Sequence, residues 1–126
     1  VIVRRTGGQY TPEGIRANRD NVRRGLARIQ RHAQAKGAAL RVILYPHLED
    51  PLPWEREARA QARAIFAELG VAYVDVSDEF ARRGWMALRL AREDPVHPSG
   101  QGHAIAADEL RAAFPDVFPR VPVAGR

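Results

Sequence analysis

Three short apolar runs separated by two long amphipathic stretches constrain this chain more than any other feature. The runs are Val1-Ile2-Val3, Leu40-Arg41-Val42-Ile43-Leu44-Tyr45 and Val71-Ala72-Tyr73-Val74-Asp75-Val76. Their apolar, β-branched character suits strands buried on both faces, and strands that alternate with helices build a parallel sheet with helices packed on it. The first helix is expected from Pro12, with Thr11 as cap and Glu13 in its first turn, to a stop at Gly37. Its Ile15, Val22, Leu26, Ile29 and Ala33 share one face at helical spacing and should pack on the sheet. A second helix is expected from Trp54 to Leu69, ended by Gly70, with Trp54, Ala58, Ala62, Ile65, Phe66 and Leu69 inward. Ser77 should cap a short helix, a further helical stretch should run from Trp85 to Leu90, and a last helix should run from Ser99 to Pro115. The prolines at 115, 119 and 122 predict an extended tail. The expected organisation is one domain over residues 1–114 and a Pro-rich tail over 115–126.

Chemistry is visible in one place, Asp94-Pro95-Val96-His97-Pro98-Ser99-Gly100-Gln101-Gly102-His103. Asp favours the first position of a four-residue turn and Pro the second, which brings the Cα atoms of Asp94 and His97 within roughly 7 Å. A carboxylate on one imidazole nitrogen fixes the tautomer and leaves the other nitrogen free to take a proton, the arrangement that activates a serine nucleophile. Ser99 reads as the cap of the last helix. His103 falls a turn inside that helix, where packing or hydrogen bonding is expected of it. Zinc could in principle be held by His97, His103 and Asp94 or His47. The place of His103 a full turn inside the helix argues against this, and no metal or other cofactor is expected.

The pattern D-x-x-H-P-S-x-x-G-H followed by an apolar helix resembles the last motif block of the SGNH (GDSL-type) hydrolases. The resemblance implies a flavodoxin-like three-layer α/β/α fold with a parallel sheet, and it gives Asp94 and His97 two of the three triad roles. It also implies ester hydrolysis of a small-molecule ester or an acylated carbohydrate. The family's Gly-Asp-Ser block is absent, and of the two serines, Ser77 and Ser99, neither follows a strand-to-turn pattern that exposes a nucleophile. The three runs are also too few strands to cover both sheet faces. The expectation is therefore the C-terminal part of an enzyme whose N-terminal strands and nucleophilic serine lie upstream of Val1, with this chain alone inactive.

Gly7-Gly8-Gln9-Tyr10 stands where the family carries a Gly-x-Asn-Asp-like block, so the resemblance implies an oxyanion hole at Gly8 and Gln9. Gln is one methylene longer than Asn. Either Gln9 donates from a shifted backbone or the site is weakened or repurposed, and a plain glycine turn with an exposed Gln is the alternative to both. His47, in the loop after the second run, is the candidate substrate contact. A non-catalytic SGNH-like domain that binds a ligand or partner is the alternative function.

Net charge is +5, and nearly all the positive charge is arginine. Arginines 16, 23, 24, 28 and 31 spread over a wide polar arc of the first helix, and the aromatics are not interleaved with them. A nucleic-acid partner is therefore not expected. No apolar run approaches the length of a membrane span. Cysteine is absent, which excludes disulfides and thiolate metal sites.

Overall fold

The structure, a computed structural model, describes residues 10–118. The expected strand at residues 1–3 and the Gly8-Gln9 segment lie outside them. The fold is mixed α/β, mostly helical, in the order α1 (Pro12–Ala35), β1 (Arg41–Leu44), α2 (Pro53–Leu69), β2 (Ala72–Asp75), α3 (Ser77–Arg83), a 3₁₀ turn (Trp85–Leu88) and α4 (Gly100–Ala113). Strands β1 and β2 pair in parallel as a two-stranded sheet. No helix among the described residues is long and apolar enough to cross a membrane. The chain divides into two compact units, Val1–Val42 with Pro51–Ala72 and Ile43–Asp50 with Tyr73–Arg126.

The first unit holds α1 and α2. Thr11 Oγ1 accepts from the Gly14 amide at 3.0 Å, and Pro12 needs no partner for an amide it lacks. At the other end Gly37 takes φ +70°, the Ala38 amide donates to Ala33 O at 2.9 Å and the Gly37 amide to Gln34 O at 2.9 Å. This is a Schellman stop, and its left-handed residue is why glycine stands there. Gly70, at φ +62°, ends α2 in the same region. Helix α1 does not bury the expected stripe. It packs on α2, with Ile15 and Val22 facing Ala58, Ala62 and Ile65 across a groove, while Val22 and Ile29 stay 51% and 55% exposed. A helix that packs on one other helix buries a narrower strip than one laid on a sheet. Ion pairs of Arg16 with Glu57 at 3.1 Å and of Arg19 with Glu68 join the two, and Gln30 Nε2 donates to Leu69 O at 2.9 Å.

The second unit has its own core of Leu48, Val76, Phe80, Leu88 and Ala106, with Ile43, Trp85 and Ile105 packed against it. Tyr45 meets Phe80 edge to face, ring centroids 5.5 Å apart. Ser77 is not the cap of α3 but its first residue, buried, with an Oγ that has no hydrogen-bond partner. Asp75 takes the capping work instead, its Oδ1 accepting from the Ser77 amide at 3.0 Å. The expected helical stretch to Leu90 also stops short. After the 3₁₀ turn, Arg89 adopts extended backbone and forms an antiparallel bridge with Pro98. Residues 115–118 fold into a turn on the end of α4 rather than running extended, the Val117 and Phe118 amides donating to Phe114 O at 3.1 and 3.0 Å.

Candidate active site

The Asp94–His97 segment is the tip of a narrow antiparallel ribbon that lies wholly in the second unit. On either side of the Arg89–Pro98 bridge, the Leu90 amide donates to His97 O at 2.9 Å and the Ser99 amide to Leu88 O at 2.7 Å. One side of the ribbon is tied to the core by Leu88, which is fully buried, and the other leads into α4. Ser99 caps α4, its Oγ accepting from the Gly102 amide at 3.4 Å and its carbonyl from the His103 amide at 3.0 Å. Gly102 lets the helix approach: a Cβ there would lie 2.8 Å from Pro98 Cβ and 3.3 Å from Leu88 O. The Pro-Ser-x-x-Gly spacing therefore has a packing reason independent of any chemistry.

Within the tip, the Asp94 amide donates to Ala91 O at 3.0 Å. Asp94 Oδ1 accepts from the Val96 amide at 2.9 Å and from the His97 amide at 3.1 Å. The turn is thus closed through the aspartate side chain, the usual role of Asp at such positions. The second oxygen, Oδ2, lies 2.7 Å from His97 Nδ1. One carboxylate therefore holds both the backbone and the ring of the same histidine. The amides of Val96 and His97, then the His97 ring, hold the Asp94 carboxyl below the usual aspartate range. With Asp94 ionised, Nδ1–H donates to it, and Nε2 is left as an acceptor on a side chain that is 69% exposed.

The loop after β1 reaches the same place. Leu48 is fully buried and its amide donates to Pro95 O at 2.7 Å, so the backbone beside His47 is tied to the residue next to Asp94. His47 itself is exposed. His103 is exposed on the first turn of α4, not packed as its position inside the helix suggested, because the face toward the core is taken by Gly102 and Ala106. Arg89, which no sequence pattern singled out, donates from Nε to Leu48 O at 2.9 Å and from Nη1 to Arg92 O at 2.7 Å. No signal of spacing marks it, since its partners are main-chain carbonyls and any residue type supplies those. Neither serine presents a hydroxyl as a nucleophile: Ser77 is enclosed in the core and Ser99 serves the helix cap. Among the described residues no three His, Cys, Asp or Glu side chains gather as a metal site.

No family model, curated protein or solved structure matches the chain.

Proposed function

We propose that Asp94 and His97 are the acid and base of an SGNH-type ester hydrolase with a flavodoxin-like three-layer fold, the nucleophilic serine coming from sequence beyond these residues. The observation that carries the reading is the contact of Asp94 Oδ2 with His97 Nδ1 at 2.7 Å beside an exposed ring. In this role His97 Nε2 takes the proton of the serine hydroxyl as it attacks the ester carbonyl. The imidazolium, stabilised by Asp94, returns the proton to the departing alkoxide, and the same ring activates water for the second half of the cycle. Gly8 and Gln9 would supply oxyanion donors and His47 a substrate contact. The substrate class is a small ester or an acylated carbohydrate, with no cofactor and no nucleic-acid partner.

The test is hydrolysis of p-nitrophenyl acetate and labelling by a serine-directed fluorophosphonate, measured on the full product of the gene that encodes this chain. Turnover abolished by His97→Ala with the fold intact supports the reading. Inertness to both reagents rejects it. The two serines' structural roles favour a second reading, a ligand- or partner-binding domain of the same fold without chemistry. That reading predicts inertness to both reagents.

A further inference from the structure

We propose that Arg89 is a positioning residue that keeps the carboxylate of Asp94 on His97; the proposal rests on the acid–base reading of that pair. The Arg89 side chain is only 13% exposed, an enclosure that costs a guanidinium hydration unless its donors are met. Two of them are met by main-chain carbonyls that brace the segment around Asp94. Nη1 donates to Arg92 O, two residues before it, while Nε donates to Leu48 O. The Leu48 amide in turn donates to Pro95 O, one residue after it. The four residues 92–95 are therefore held at both ends by one circuit through Arg89 and the buried Leu48, with Asp94 inside. Glu49 lies 3.9 Å from Nη2 and offsets part of the charge.

The same residue also holds the base, by a separate route. Its backbone forms the bridge with Pro98, whose neighbour His97 accepts from Leu90. Arg89 thus touches the acid's segment through its side chain and the base's strand through its main chain. Changing the side chain alone should loosen the acid while leaving the strand that carries the base in place. Lysine, a single point of donation, can reach one carbonyl but not both, whereas the guanidinium fork serves the two at once.

The experiment is long-range ¹H–¹⁵N correlation of the histidine rings in the 126-residue chain, at a pH where imidazole is neutral, with the His97 signals assigned by their loss in His97→Ala. The parent should show the Nδ1–H form of His97. Arg89→Met should raise the Nε2–H form several-fold, Arg89→Lys should fall between, and backbone amides of α3 and α4 should stay unshifted. A parental ratio in folded Arg89→Met overturns the proposal. If that variant fails to fold, Arg89→Lys decides by the same ratio: a rise supports the role, a parental value overturns it. The ring signals report positioning whether or not an ester is cleaved. Failure of the hydrolase reading therefore appears as inertness of the gene product with the tautomer shift intact, and failure of this proposal as an unchanged tautomer.

Discussion

A single carboxylate with two separate tasks decides the chemistry at Asp94, and an amide in its place divides them. In Asp94→Asn the remaining oxygen can still accept from the amides of Val96 and His97, so the turn should survive. The new NH₂ would face Nδ1 as a donor, force that nitrogen to accept and move the ring proton to Nε2, where a base is needed. Turnover of the active gene product should fall by about 10⁴ in kcat, with little change in the amide shifts of residues 95–98. Retained kcat would remove Asp94 from the mechanism. The acid limb follows from the same contacts. Because the folded Asp94 titrates below the usual aspartate range, its contribution to stability is present above the unfolded-state value and is lost as pH falls through the folded one. Upfield movement of the Val96 and His97 amide protons should therefore begin below the normal aspartate range in the parent and be missing in Asp94→Asn. Gly102 belongs to this scale as well. In Gly102→Ala the added methyl meets Pro98 Cβ at 2.8 Å and a backbone carbonyl at 3.3 Å, so the first turn of α4 must shift. Urea unfolding should show a loss of about 1–3 kcal/mol, and an unchanged midpoint would mean that the ribbon yields freely.

Elements whose ends are written in local chemistry were legible from the sequence. Thr11-Pro12 opens α1, Gly37 and Gly70 close α1 and α2 with positive φ, and Ser99 opens α4, each through a cap that depends on a few neighbouring residues. What tertiary partners decide was not. The register of α1 on its neighbour and the arrest of the 3₁₀ turn at Leu88 depend on which groups meet in space, and Asp75, only two residues from the Ser77 amide, takes the cap because Ser77 itself is drawn into the core. The site divides in the same way. Asp94 and His97 are three residues apart and their contact follows from a turn, whereas Arg89 reaches Leu48 across 41 positions and leaves no local trace. Caps nevertheless have separable consequences. Ser99→Ala should cost about 1 kcal/mol through loss of the Gly102 amide's partner, while His103→Ala, an exposed position, should change stability by less than about 0.5 kcal/mol. Neither should alter the His97 tautomer in the histidine-ring spectra, and a change in Ser99→Ala comparable to that of Arg89→Met would move Ser99 into the site.

At the scale of the whole molecule, the described residues hold the Asp94–His97 pair on a packed unit, and neither of the chain's two serines turns a hydroxyl toward it. The second unit closes its own core around Leu48, Val76, Phe80, Leu88 and Ala106, and the ribbon stands on Leu48 and Leu88. The pair is thereby held by the folded core and needs no substrate to assemble it. Acyl transfer needs more than this: a nucleophile within reach of Nε2 and donors at the developing oxyanion, the loss of even one donor raising the barrier by about 2.7–4 kcal/mol. Ser77 is 2% exposed with its backbone in the first turn of α3, so reaching a solvent-exposed imidazole would require that helix to open. The Ser99 hydroxyl points back into α4 as its cap, two residues from His97 on the same ribbon strand. The 126-residue chain by itself should therefore give no acyl-enzyme burst with p-nitrophenyl acetate and no fluorophosphonate adduct by intact-mass spectrometry. Slow hydrolysis by the bare imidazole, first-order in ester and lost in His97→Ala, is compatible with this expectation. A stoichiometric adduct mapped to Ser77 or Ser99 is not, and it would place the nucleophile inside the chain and return that serine from a structural to a catalytic role.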